Sequence, residues 1–387
     1  MPLPTLHLPP ELAPALSAGH PWVYRNHLPK HHLTGGEWVR VRAGGAEAYG
    51  LYDAESAIAL RLFGPTPPRP GMVGERVTRA LELREALFGP PHHPASETTA
   101  YRLLYGEGDF VPGVSADLYE RFVMVRTYAP SVTALVPEVV RALTQRLKLR
   151  GVVVREGGTL RALWGRLPPP ELTVLEHGLK LLANLHEGQK GGLFLDHRDN
   201  RLTLSRFTAG KTVLNLFAYT GAFSLYAVRG GAAHVTSVDL APRATEDARR
   251  NFALNGFAPD AHRFLTADVF ALLADYARGE RRFDVVILDP PALAKRRGSR
   301  YSALRAYEKL NALALRCTQP GGLLATASCT AQVSPEAFRD ALSSAAAHAG
   351  VRLQLLHEAG QPPDHPVPAS FPEGRYLKFV IGRVLPR

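Results

Sequence analysis

The residues best placed to do chemistry in this chain are Cys329 and Asp289. Val285-Val286-Ile287-Leu288-Asp289-Pro290-Pro291 reads as a buried strand that delivers one carboxylate to a rigid turn. Two prolines cannot donate the N–H groups that a simple helix N-cap satisfies, so the carboxylate is available for another task. Held in this way it can hydrogen-bond the amino edge of a base inserted into a pocket. Ala327-Ser328-Cys329-Thr330 ends a further strand. A thiolate there can add to C6 of a pyrimidine and make C5 nucleophilic toward a sulfonium methyl donor, and a carboxylate at N3 and N4 of cytosine would stabilise that adduct. The other cysteine, Cys317, lies at a helix end before Gln319-Pro320-Gly321-Gly322 and reads as a small buried hydrophobe.

A second group of residues suits a nucleotide-like cofactor. The run Val213-Leu214-Asn215-Leu216-Phe217 leads into Ala218-Tyr219-Thr220-Gly221-Ala222-Phe223, with a single glycine at the strand-to-helix turn. Free backbone N–H groups there can meet a ligand carboxylate or phosphate. The turn is not GxGxxG, which argues against a pyrophosphate cofactor and for one with an amino-acid tail. Asp239 ends the next strand, where a carboxylate can accept both ribose hydroxyls; Asp268 follows the third strand and Asp289 ends the fourth. Carboxylates at the C-terminal ends of successive parallel strands line the crevice where such sheets bind ligands. Capping of the following helix is the competing role, and it fits Asp268 best and Asp289 least.

Those residues require a sheet to position them. Strands are predicted at Thr212–Leu216, His234–Val238, Arg263–Thr266, Asp284–Leu288 and Leu323–Ser328, with helices at about Gly221–Val228, Pro242–Asn255, Ser302–Arg316 and Pro335–Ala349. Leu353–His357 and Tyr376–Val384 have no helix between them and are expected to pair as an antiparallel hairpin. The fold class is α/β, with the outline of a class I (Rossmann-like) methyltransferase sheet. Ahead of it, residues 1–66 read as a small β-rich domain and 67–171 as an α+β middle domain, leaving 172–387 for the catalytic sheet.

The sequence resembles the 23S ribosomal RNA 5-methylcytidine methyltransferases of the RlmI type over most of its length. The segment from Gly188-Gln189-Lys190-Gly191-Gly192 through Asp196-His197-Arg198-Asp199-Asn200-Arg201 is similar to the family's stretch before the first sheet strand, and Asn215 to Gly221 to its cofactor turn. Asp289-Pro290-Pro291, Ser328-Cys329-Thr330, His365-Pro366, Phe371-Pro372-Glu373-Gly374 and Tyr376-Leu377-Lys378 follow in the family's order. Thr330 stands where the family usually has serine, and Gly191 where threonine is common. Gly19-His20-Pro21-Trp22-Val23-Tyr24 resembles the opening of the family's PUA domain, an RNA-binding module. The resemblance implies S-adenosyl-L-methionine as cofactor, with Phe217, Tyr219, Thr220, Gly221, Asp239 and Asp268 around it and Asp196 and Arg198 near its methionine end. It also implies Cys329 as nucleophile beside Asp289.

Charge agrees with a polyanionic partner: the chain of 387 residues carries a formal net charge of +11 and a sequence pI near 9.8. Lys295-Arg296-Arg297-Gly298-Ser299-Arg300, directly after the Asp-Pro-Pro turn, is a candidate contact for an RNA backbone. The expected partner is ribosomal RNA, 23S by the resemblance; oligomeric state stays open, with a homodimer among the alternatives. The cysteine spacing offers no zinc site, and His31-His32 and His92-His93 lack a third ligand, so no metal is expected. No apolar run reaches the ~18 residues of a membrane span and Met1 to His20 lacks the order of a signal peptide, which gives a cytoplasmic expectation. Competing readings are a ribosomal RNA guanosine N7-methyltransferase of a sister group, a non-catalytic RNA-binding protein that keeps the fold, and a small-molecule methyltransferase.

Overall fold

The computed structural model describes residues 3–188, 192–293 and 300–387, without the Arg300 side chain. The chain forms two units: Met1–His177 with Ala183–Gly191 and Pro363–Gly374, and Gly178–Leu182 with Gly192–Pro362 and Arg375–Arg387. The chain therefore passes between the units more than once.

The first unit holds two five-stranded sheets. One is built from Thr5–His7, Trp22–Tyr24, Trp38–Ala43, Ala46–Tyr52 and Ile58–Gly64, around a core that includes Val23, Val39, Val41, Leu60 and Leu62. The other comprises Ala100–Tyr105, Val114–Tyr119, Phe122–Thr127, Gly151–Glu156 and Thr159–Gly165. Two helices, Met72–Phe88 and Val136–Arg146, turn Val77, Leu81, Val139 and Leu143 onto its Leu103, Val114, Leu118 and Val125. Of the apolar positions whose spacing predicts a helix over 74–88, Val77 and Leu81 face the sheet while Leu83, Ala86 and Leu87 are exposed.

The second unit is organised by a seven-stranded sheet. In chain order its strands are β1 (Thr212–Leu216), β2 (His234–Asp239), β3 (Arg263–Thr266), β4 (Phe283–Leu288), β5 (Thr318–Ser328), β6 (Val351–Ala359) and β7 (Lys378–Pro386), arranged β3-β2-β1-β4-β5-β7-β6. The first five are parallel, and β7 runs antiparallel between β5 and β6. Helices α1 (Arg198–Ser205), α2 (Ala222–Arg229), α3 (Pro242–Leu254), α4 (Val269–Arg278), α5 (Arg300–Arg316) and α6 (Pro335–Ala349) complete it. Alternation along the strands explains why both faces need cover: Leu214, Leu216, Val286 and Leu288 enter one apolar cluster, while Val213, Val285 and Ile287 enter another. The expected antiparallel pairing of the last two strands holds, with Leu353 opposite Val384 and His357 opposite Ile381. Helices α1 and α4, not delimited by sequence, are additions.

Candidate active site

Register places the two chemical residues past the ends of neighbouring strands. Leu288 on β4 pairs with Thr326 on β5, so Asp289 and Cys329 both lie just past the C-terminal ends of adjacent parallel strands. Parallel strands end their carbonyl-terminal side at the ligand crevice of such sheets. Cys329 is partly exposed, while Cys317 is fully buried with Sγ 3.8 Å from the Leu273 carbonyl oxygen, and burial pushes its pKa up to about 11. The sequence reading of Cys317 as a packed core thiol is what the structure contains.

The Ser328-Cys329-Thr330 turn is held from two sides. From α5, the buried Tyr307 hydroxyl lies 2.9 Å from Thr330 Oγ1; burial raises its pKa, and hydrogen bonds with the Ser328 and Thr330 hydroxyls act against that rise. From β7, the Lys378 ammonium donates to the carbonyl oxygens of Thr330 (2.6 Å) and Tyr376 (2.9 Å). The Tyr376 hydroxyl in turn donates to Asp196 Oδ2. Asp196 and Arg198, both buried, flank His197 in the turn Leu195–His197 that leads into α1.

His197 was not singled out by its sequence context, a run of charged residues that looks like a solvated face. It is 3% exposed, and its Nε2 stands 3.3 Å from Asp289 Oδ1. Its tautomer follows from its neighbours. Asn200 Nδ2 donates to the Gly360 carbonyl oxygen (3.2 Å), which can only accept, and this fixes the orientation of the amide. The same Nδ2 meets His197 Nδ1 at 3.1 Å, so Nδ1 accepts and the ring proton sits on Nε2, which makes no hydrogen bond among the described residues although Asp289 Oδ1 is 3.3 Å away. The ring is wedged edge-on against Phe223 and Phe379.

The opposite end of the crevice is a strained turn. Phe217 (φ +57°) and Tyr219 (φ +48°) occupy the left-handed region, which costs a non-glycine residue of order 1–3 kcal/mol and gathers at ligand sites. Gly221 (φ +78°) follows, and a Cβ on it would meet the Ala248 Cβ of α3 at 2.9 Å. Asp239 ties the turn down: its carboxylate accepts from the N–H of Tyr219 (2.8 Å) and of Ala241 (2.9 Å). Thr220 is buried, its carbonyl accepting from Asn251 Nδ2 at 2.9 Å. Phe217 packs edge-on to the part-exposed Phe270 of α4. Asp268 caps α4, accepting from the Ala271 N–H at 2.9 Å, so one of its oxygens does what the competing reading expected. Gln189, Lys190 and Gly191, and residues 294–299 of the basic loop, lie outside the described residues.

A strained glycine turn after β1, a carboxylate ending β2 and this strand order define a class I S-adenosylmethionine-dependent methyltransferase. The turn fits such a cofactor: two non-glycine residues held at positive φ, a glycine with no room for a side chain, and a carboxylate anchored at β2 form a ready cradle. Residues 161–372 match the family model of S-adenosylmethionine-dependent methyltransferases, and residues 6–64 match a PUA-like domain. A ribosomal RNA large subunit methyltransferase of Deinococcus radiodurans is 37% identical, with 94% of this chain and 93% of the relative covered. Ribosomal RNA large subunit methyltransferase I of Shewanella amazonensis is 33% identical, covering 98% of this chain and 99% of its own. Among solved structures, one described as a methyltransferase in complex with SAH superimposes with a TM-score of 0.89 at 26% identity, covering 99% of this chain and 100% of that one. An S-adenosylmethionine-dependent methyltransferase from Streptococcus mutans gives 0.87 at the same identity and the same coverage. The chain belongs to the family of ribosomal RNA large subunit methyltransferase I.

Proposed function

We propose that this chain transfers a methyl group from S-adenosylmethionine to C5 of a cytidine in large-subunit ribosomal RNA, the 23S molecule, with Cys329 as nucleophile. The observation that carries the reading is the placement of a part-exposed thiol and a carboxylate past the ends of adjacent parallel strands, β5 and β4. The names of the relatives support ribosomal RNA as substrate, and the PUA-like match and the net charge of +11 agree with it.

When bound, the cofactor supplies an electrophilic methyl on a sulfonium. Phe217, Tyr219, Thr220 and Gly221 would line its turn, Asp239 would receive the ribose hydroxyls, Asp268 would lie near it, and Asp196 and Arg198 would serve the methionine end. Cys329 Sγ adds as thiolate to C6, and the C5–C6 π pair moves to C5, which becomes the nucleophilic carbon. Asp289 accepts from the N4 amino group, and a proton taken up on its other oxygen passes to N3, where negative charge collects in the adduct, and returns when Sγ leaves. His197 Nε2, 3.3 Å from Asp289 Oδ1, packs against that carboxylate. After C5 is methylated, loss of its proton restores the double bond and expels Sγ.

RNA carrying 5-fluorocytidine tests this, because fluorine at C5 cannot leave as a cation and the adduct is trapped. A cofactor-dependent covalent complex that withstands denaturation is the expected result with wild type, and none with Cys329→Ala. A complex formed equally by the variant removes Cys329 from the mechanism.

A further inference from the structure

The nucleophile turn contains a charge that the mechanism above leaves unused. Lys378 is the first residue of β7, pairs in register with Ser328, and is 4% exposed. Its ammonium spends two of three protons on the carbonyl oxygens of Thr330 and Tyr376, so Nζ is fixed against the backbone one residue beyond Cys329. A buried ammonium is expensive; an apolar side chain of similar length would fill the same space without that cost. Burial pulls its pKa down to about 8, and the electrostatic effect of a Cys329 thiolate works against that pull. That attraction is mutual: a thiolate that favours the ammonium is itself favoured by it.

Among the described residues, the titratable groups Tyr307, Asp289, Asp196 and His197 do not supply this. Tyr307, from α5, has its pKa raised and stays neutral near pH 7. Asp289, past the end of β4, and Asp196, reached through the Tyr376 hydroxyl, carry the charge that disfavours a thiolate. His197 Nε2 lies beside Asp289, 3.3 Å from its Oδ1.

We propose that Lys378 is the counter-cation of the Cys329 thiolate, a positioning residue that generates the nucleophile and fixes its turn. The assignment rests on the reading of Cys329 as nucleophile, but it can fail separately.

The test is alkylation of the full-length protein by iodoacetamide across pH, read by mass spectrometry at the Cys329 peptide, for wild type, Lys378→Gln, Lys378→Met and Lys378→Arg. Gln keeps N–H donors without charge, Met keeps only the length, and Arg keeps the charge. Cys317 serves as internal control, since its burial leaves it unreactive unless the fold opens. The expected result is a higher pH midpoint for Cys329 in the Gln and Met variants, near wild type in Arg, with Cys317 protected throughout. Each tenfold loss of thiolate is expected to slow alkylation at pH 7 only about threefold, because a more basic thiolate is also more nucleophilic. Methyl transfer should lose kcat while KM for RNA stays near wild type. An unchanged midpoint in Lys378→Gln, with Cys317 still protected, overturns the assignment even where Cys329→Ala is inactive. If Met or Gln exposes Cys317, the Arg variant decides: a wild-type midpoint supports the counter-cation, and a midpoint raised with Cys317 protected overturns it. Formation of 5-methylcytidine by Cys329→Ala would instead sink the nucleophile reading, whatever Lys378 does.

Discussion

At the scale of single residues, the site depends on side chains whose partners are far away in sequence. Asp289 and Cys329 were legible because strand-end position and the Pro-Pro turn are local signals. His197 and Lys378 were not, since nothing local distinguishes a buried histidine or lysine from a solvated one, and each is defined by partners on other elements. His197→Phe keeps the ring packed on Phe223 and Phe379 but removes the Nε2 that stands 3.3 Å from Asp289 Oδ1. We expect kcat to drop by about two- to tenfold, in line with ~0.5–1.5 kcal/mol for a typical polar contact, while cofactor affinity is kept. His197→Gln, which restores a polar N–H, should recover part of the loss; no recovery relative to Phe would remove a polar role for His197. Lys378 gives a pH signature in stability. Its folded pKa is lowered to about 8 from 10.5, so between those values the unfolded chain binds more protons and the folded state gains stability as pH rises. Urea midpoints of wild type relative to Lys378→Met should therefore increase from pH 8 to pH 10, and a flat difference would contradict the burial of the charge.

Elements explain why the cofactor turn has its sequence. Gly221 combines a φ of +78° with a 2.9 Å approach to Ala248, so Gly221→Ala forces either strain or a shift of α3. The expected cost is about 1–3 kcal/mol in stability with a larger proportional loss of S-adenosylmethionine affinity, measured by calorimetry. Asp239→Ala should weaken cofactor binding as well, since it releases the Tyr219 and Ala241 N–H groups; unchanged affinity would remove its assignment. The parallel strands were readable because apolar runs alternate with helical spacing over a long stretch. In the middle of the first unit the signal is short: Val114–Tyr119 alternates Val114, Ala116 and Leu118 with Ser115 and Asp117 over only six residues, and the buried Ser115 and Asp117 read locally as loop residues. Helix α4 was missed as an element although its cap, Asp268, was considered.

For the whole molecule, long-range order is the least legible part. Pro363–Gly374 lies between β6 and β7 in sequence, yet it belongs to the first unit. There the Arg84 guanidinium, 1% exposed, forks onto Asp109 (2.7 and 2.8 Å) and donates to the Asp364 carbonyl oxygen (2.6 Å), while the Asp364 carboxylate accepts from the Arg102 N–H (2.9 Å). No local pattern could show partners 280 residues apart. Arg84→Ala strands a buried carboxylate, and a loss of ~3–5 kcal/mol is expected. Trp22, Trp38 and Trp164 all lie in the first unit, so tryptophan fluorescence in urea reads that loss directly. The net charge of +11 gives a further expectation: with three phosphate contacts on single-stranded RNA, affinity should fall about 20-fold between 50 and 200 mM salt.

Methyl transfer through Cys329 is checked by incubating unmodified large-subunit ribosomal RNA with methyl-labelled S-adenosylmethionine and identifying the labelled nucleoside, for wild type and Cys329→Ala side by side. Label is expected in 5-methylcytidine with wild type and none with the variant. Label in 7-methylguanosine, or 5-methylcytidine made equally by Cys329→Ala, would contradict it.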